Sequence, residues 1–206
     1  MKNLYLMRHG RTQFNEEGRV QGWCDSPLTE EGVAQALAVG AYFRQKGIVF
    51  DAVYSSTQER ATDTAKLVTG WETVTQLKGL KEMNFGRFEA QPEYLLPKFR
   101  PGANSFEDAL VFYGGDDIRD VGRRVKTCVD SILAKDPVDT ILAVSHGAAM
   151  WGLLLELELT WHLGRGLSNG DICHFVATEN GYELTEIIAP TEDFRIYPVK
   201  GGSVGG

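Results

Sequence analysis

Basic residues are in deficit: 21 Lys and Arg against 28 Asp and Glu leave a formal net charge of −7. That balance argues against a nucleic-acid binder, which carries a basic stripe. It leaves room for a small anionic ligand, because a local arginine cluster can bind phosphate inside an acidic protein. Cysteine is scarce. Cys24, Cys128 and Cys173 are odd in number and far apart, with no CxxC, which excludes a disulfide framework and the usual zinc spacings. Reduced thiols and a cytoplasmic location are expected. Long apolar runs are missing too. The stretch before Arg8 is too short for a signal peptide, and nothing approaches the length of a membrane span. No HExxH or comparable ligand pair occurs, so no metal is expected. No repeat or low-complexity block interrupts the chain, and 206 residues with 43% hydrophobic content suit one globular domain.

Within that frame, short apolar runs alternate with helical patterns. Asn3 to Met7 reads as a first strand, followed by a long loop from Gly10 to Leu28. Such a loop without structure of its own is usually functional. Thr29 fits a helix N-cap, with Glu30 and Glu31 at the favourable end of the dipole and Gly47 near the stop. Asp51 to Tyr54 is a second strand, Glu59 to Thr69 a helix, and Val74 to Leu77 a short third strand. Residues 78–115, rich in aromatics and interrupted by Pro92, Pro97 and Pro101, read as a partly helical cap insertion. Asp116 or Asp117 opens a helix whose stripe is Ile118, Val121, Val125, Val129, Ile132 and Leu133, closed by Pro137. Thr140 to Val144 is a strand and Ala148 to Leu159 a helix. Asp171 to Thr178 and Tyr182 to Ile188 form a hairpin about Glu179-Asn180-Gly181. The expected fold class is α/β: a central, mostly parallel sheet flanked by helices on both faces. Residues 1–190 would form a single domain and 191–206 a C-terminal tail ending in mobile glycines.

The chemistry concentrates at strand ends, where open α/β sheets present their sites. Leu4 to Met7 runs into Arg8-His9-Gly10, and Ile141 to Val144 runs into Ser145-His146-Gly147. Arginine offers phosphate a planar fork of donors and a permanent charge. A neutral histidine is a nucleophile toward phosphorus, and neighbouring arginines favour the neutral ring. Gly10 allows the backbone to approach a ligand. Arg60 falls in the first turn of its helix, where it is misplaced relative to the dipole unless an anion compensates. Glu82, with Glu89 as the alternative, is the candidate acid and base for the leaving oxygen and for water. His146 can donate to a phosphoryl oxygen. His162 and His174 lack this context and read as structural.

Arg8-His9-Gly10, Arg60 within Ser55-Ser56-x-x-x-Arg60-Ala61-x-x-Thr64-Ala65, Glu82 before Phe85-Gly86, and Ser145-His146-Gly147, in that order, resemble the histidine phosphatase superfamily, the phosphoglycerate mutase-like family. Thr12, Asn15, Gln21-Gly22 and Pro27-Leu28-Thr29 match as well. The resemblance spans Leu4 to about Ile188. It implies that His9 becomes a phosphohistidine, that Arg8, Arg60 and His146 bind phosphoryl oxygens, and that Glu82 is the proton donor and then the base. Asn15, Gln21 and Gly22 would line the phosphate pocket, with Gly147 and Arg11 completing the substrate-binding set. Arg11 stands where the family usually carries Glu or Gln, which predicts an extra cation beside the pocket and a more anionic substrate. The chain also looks shorter between Glu82 and His146 than the cofactor-dependent mutases.

The expected activity is phosphomonoester hydrolysis through a phosphohistidine on a small phosphorylated metabolite, without metal or cofactor. A cofactor-dependent phosphoglycerate mutase and a non-catalytic phosphate-binding or protein-interaction module are the alternatives. The expected partner is the small phosphorylated substrate, with no nucleic acid and no membrane. A homodimer is the working expectation for assembly.

Overall fold

The computed structural model describes residues 2–135, 138–159, 165–179 and 181–199. In chain order they form β1 (Asn3–Arg8), α1 (Gln13–Glu16), α2 (Glu30–Gln45), β2 (Ala52–Ser55), α3 (Glu59–Thr69) and β3 (Thr75–Gln76). Then come α4 (Ile118–Lys135), β4 (Thr140–Ser145), α5 (Gly147–Glu156), β5 (Ile172–Thr178), β6 (Gly181–Ala189) and β7 (Arg195–Pro198). One seven-stranded sheet has the order β3-β2-β4-β1-β5-β6-β7. The first four strands in that order pair in parallel, and β5, β6 and β7 add on antiparallel.

Strand periodicity builds two cores from one sheet. Leu4, Leu6, Ile141 and Ala143 face α4 and α5, where they join Val121, Val125, Val129 and Leu153. Their neighbours Tyr5, Met7, Leu142 and Val144 face α2 and α3, with Val39, Phe43, Ala61 and Ala65. β1 and β4, central and covered on both sides, are therefore continuously apolar from Leu4 to Met7 and from Ile141 to Val144, as buried parallel strands are. Their carboxyl ends are adjacent, Arg8 opposite Ser145, and this pairing sets His9 beside His146.

Two expectations change. The loop from Gly10 to Leu28 has structure of its own. Thr12 caps α1, with its hydroxyl accepting from Asn15 N–H and the Asn15 side chain accepting from Thr12 N–H. This capping box satisfies the helix end within the loop. The tail does not begin at 191, because Arg195–Pro198 pairs with β6 from Ala189 to Glu186. That short strand covers what would otherwise be the sheet edge, and the glycines after it mask its pattern in the sequence. Gly10 also has a packing role that the sequence does not show: a Cβ there would lie 2.6 Å from the Gly32 carbonyl oxygen at the start of α2.

The cap between Lys78 and Gly115 is a series of single 3-10 turns. Phe106 packs edge-on against Phe85 and Phe99, and Tyr113 against Phe88 and Phe112. Tyr94 and Phe112 are exposed. Arg100 pairs with Glu107 and Asp108 within the cap. Pro137, His162 and Asn180, named above, lie outside the described residues. Among the described residues no helix is long and apolar enough to cross a membrane.

Candidate active site

A cavity of about 690 Å³ opens above the carboxyl ends of β1 and β4, lined at its base by Arg8, His9, Asn15, Gln21, Glu82, Gly147 and Ala148. His9 is only 2% exposed. Its Nδ1 lies 2.7 Å from the Gly10 carbonyl oxygen. A carbonyl only accepts, so Nδ1 carries the proton and Nε2 keeps its lone pair. Nε2 accepts from Arg60 Nε at 3.3 Å. Burial, then Arg60 and Arg8, hold the His9 pKa well below that of a free imidazole. The ring is neutral at neutral pH, as a nucleophile requires.

His146 meets it as expected, the two ring centroids 5.1 Å apart. His146 follows β4 directly and stands at the N-cap position of α5, its ring making no capping hydrogen bond. Its Nε2 is 2.6 Å from Ser56 Oγ. Burial, Arg60 and His9 depress its pKa as well. The ring is fully buried and lies behind the cavity lining, not on it.

Arg60 is also behind the lining, fully buried at the first turn of α3. The anion that compensates it is Asp25, at 2.8 Å. The rest of its fork donates to the carbonyls of Cys24 at 2.9 Å and Gly22 at 2.9 Å. Arg60 therefore ties the loop before α2 to His9. Arg8 reaches the cavity from the last position of β1. One terminal nitrogen donates to the Leu167 carbonyl at 2.5 Å, and its buried Nε has no partner among the described residues. A Cβ on Gly147 would lie 3.3 Å from this guanidinium, so a larger residue where α5 passes it would press the Arg8 side chain aside.

Glu82 lies at the positive end of α5. Its carboxylate accepts from Ala149 N–H at 2.7 Å, Ala148 N–H at 3.1 Å and its neighbour Met83 N–H at 2.8 Å. Burial raises its pKa, against the pull of those donors and of Arg60. The net rise favours a carboxyl group that can hold a proton. Arg124 on α4 donates to the carbonyls of Gly79, Lys81 and Glu82 at 2.9, 2.7 and 3.2 Å, and so clamps the turn that carries Glu82.

Glu89, the alternative acid, has another task. It accepts from the N–H groups of Trp23 at 2.8 Å, Cys24 at 2.9 Å, Phe85 at 2.9 Å and Gly22 at 3.3 Å. It fastens the cap to the loop that Arg60 holds and does not line the cavity. Gly22 contributes its carbonyl to Arg60 and Gln58 and is likewise off the lining. Gln21 and Asn15 do line it, yet Thr12 and Asn169 already engage their side chains. The expected cation at Arg11 is absent from the cavity. Its guanidinium pairs with Glu31 at 3.1 Å on the outer face of α2. His174 is structural, stacked on Tyr5 at 4.2 Å between Asn3 and Glu186.

A profile of the histidine phosphatase superfamily, branch 1, matches residues 4–189. The chain belongs to that superfamily. It is 36% identical over 165 residues to "Probable phosphoglycerate mutase GpmB" of Yersinia pestis (strain Pestoides F), covering 76% of this chain and 75% of that one. Among solved histidine-phosphatase folds, a phosphoserine phosphatase mutant from Entamoeba histolytica, in complex with phosphoserine, superposes with a TM-score of 0.75 at 29% identity, covering 91% of this chain and 96% of that one. A phosphoglycerate mutase from Bacillus anthracis str. Sterne gives 0.73 at 30% identity, covering 89% and 91%. Phosphatases and mutases thus share this architecture.

Several site residues of this superfamily member are not singled out by the sequence. Ser56 and Gln58 lie inside the Arg60 motif, where their hydroxyl and amide had no visible partner. Arg165 and Asp171 pair at 2.7 Å beside Arg8. They belong to a loop whose only signal is an acid preceding β5.

Proposed function

We propose that the protein is a phosphomonoester hydrolase that works through a phosphohistidine on a small phosphorylated substrate. The observation that carries this reading is His9: buried, neutral, with Nδ1–H held by Gly10 and Nε2 directed at an arginine. Nε2 attacks phosphorus in line. The phosphorus–oxygen bond to the alcohol breaks as Glu82 gives its proton to the leaving oxygen. Arg8 neutralises the transferring oxygens, and Arg60 Nε–H passes from the lone pair of His9 to the phosphoryl group. Water then attacks the phosphohistidine, and Glu82 takes its proton. Phosphate leaves and both residues return to their starting states. Positioning and fixed charge carry most of the rate in such a transfer.

A mutase has to retain a doubly phosphorylated species, which calls for further cations. The lining cations among the described residues are Arg8 and Arg165, and Arg165 is already paired with Asp171 and Glu192. This favours hydrolysis. Metal independence is part of the proposal: among the described residues no three His, Cys, Asp or Glu side chains are grouped as ligands. The cytoplasm, with its small phosphorylated metabolites and reducing conditions, is the proposed setting.

The test is phosphate release from a phosphomonoester panel, with and without chelator and with and without a bisphosphorylated primer. Release that ignores both additions is expected. Primer-dependent phosphoglycerate isomerisation with little release decides for a mutase. An inert protein decides for the non-catalytic module.

A further inference from the structure

The phosphate end occupies only part of the cavity. Beyond it, the lining passes from Arg8, His9 and Glu82 to the mostly apolar set Met83, Leu96, Phe99, Phe106, Ile118 and Trp151, with Asn104 and Ser105 as uncharged polar members. Ile118 and Met83 reach the cavity from the main core and are almost wholly buried. Phe106 is held edge-on between Phe85 at 6.0 Å and Phe99 at 4.7 Å, so the wall is a packed aromatic surface. At about 690 Å³ the cavity lies in the range that encloses a whole ligand of modest size.

Charge at this end is as telling as its apolar character. Its charged members are Glu93, exposed at the rim, and Arg165. Arg165 is already ion-paired with Asp171 at 2.7 Å and Glu192 at 3.1 Å, and one of its terminal nitrogens also donates to the Gly166 carbonyl at 2.8 Å while the other makes no hydrogen bond among the described residues. A second acidic group on the substrate would therefore meet a carboxylate and an already neutralised guanidinium. Desolvating it there has no compensation. Arg11, which the sequence put forward as the extra cation, is paired on the outer face of α2.

We propose that the substrate is a phosphomonoester of a bulky apolar alcohol, with its phosphoryl group on the His9 floor and its hydrocarbon or aromatic body against the Phe106–Ile118 wall. This deepens the phosphatase reading and rests on it for turnover, though not for binding.

The test uses n-alkyl phosphates from ethyl to octyl, whose leaving oxygens are chemically alike, so that chain length alone varies. Each buried methylene is worth roughly a three- to fourfold gain. From ethyl to hexyl phosphate, kcat/KM is expected to climb roughly 10²-fold, above the values for 3-phosphoglycerate and phosphoserine. Phe99→Ala, at a half-exposed position, and Phe106→Ala should lower the value for hexyl phosphate more than that for ethyl phosphate. Binding of the matching n-alkylphosphonates, which cannot be hydrolysed at carbon, is measured in parallel. Phosphonate affinity that rises with chain length, without phosphate release from any ester, supports the apolar subsite and overturns the phosphatase. Release from the esters with phosphonate affinities flat in chain length, or with 3-phosphoglycerate preferred, overturns the apolar subsite and leaves the phosphatase standing.

Discussion

The floor of the cavity and its cap wall are built in opposite ways. The polar groups of the floor are fixed by named partners: His9, directly after β1, by Gly10, and Glu82, in the turn that opens the cap segment, by Ala148 and Ala149; behind them Arg60, at the start of α3, is held by Asp25 and the Gly22 carbonyl. The wall is a succession of single turns. Its surface ion pair, Arg100 with Glu107 and Asp108, stays within the cap itself. On the proposed reading, the nucleophile and the phosphate-binding arginines stand at a strand end and a helix start, whereas discrimination between alcohols stands on the part of the cap beyond Glu89.

That comparison can be sharpened by substitutions of falling effect. Glu82→Gln keeps the size of the side chain and removes the proton, so kcat should drop roughly 10²- to 10⁴-fold. The pH profile gives the sign. His9 must be neutral and Glu82 protonated in the first step. Acid-side loss of kcat/KM therefore falls below the ordinary imidazole range, and alkaline-side loss above the ordinary carboxylate range. Glu82→Gln should keep the acid limb and lose the alkaline one. An alkaline limb that survives contradicts the assignment. Next, Arg8→Ala should cost roughly 10²- to 10³-fold in kcat, as loss of a charged oxyanion donor does, with little change in Tm. A large fall in Tm with kcat intact would make Arg8 structural.

Glu89→Ala should do the reverse of Glu82→Gln. It orphans the Trp23, Cys24 and Phe85 N–H groups together, so thermal or denaturant unfolding should report about 2–3 kcal/mol lost, with the alkaline limb unmoved. Arg11→Ala should do least. Its partner Glu31 is 56% exposed, and such pairs contribute about 0–1 kcal/mol. Turnover of an apolar phosphomonoester should be unchanged. A marked loss would return Arg11 to the site.

The same comparison explains what was legible in the sequence. β1, β4 and α3 are readable because periodicity and burial agree there, and α3 spans Glu59–Thr69 as expected. The catalytic motifs are readable because a cation or imidazole directly after an apolar strand has few structural uses. Partners distant in sequence are not readable. Nothing local distinguishes Glu89 from Glu82, and only the fold turns Glu89 toward the N–H groups of the loop at Trp23 and Glu82 toward those at the start of α5. Arg11 misleads for the same reason: it neighbours Gly10 in the chain, yet α2 supplies Glu31 to draw it outward. β7 is hidden by its brevity and by the glycines that follow.

The central claim is that His9 carries the phosphoryl group between substrate and water. The direct measurement is rapid alkaline quench of enzyme mixed with a phosphomonoester, followed by mass spectrometry that locates the added phosphoryl. The account predicts a single acid-labile phosphohistidine at His9, absent in His9→Ala and longer-lived in Glu82→Gln. Label on another residue, or turnover that persists in His9→Ala, would contradict it.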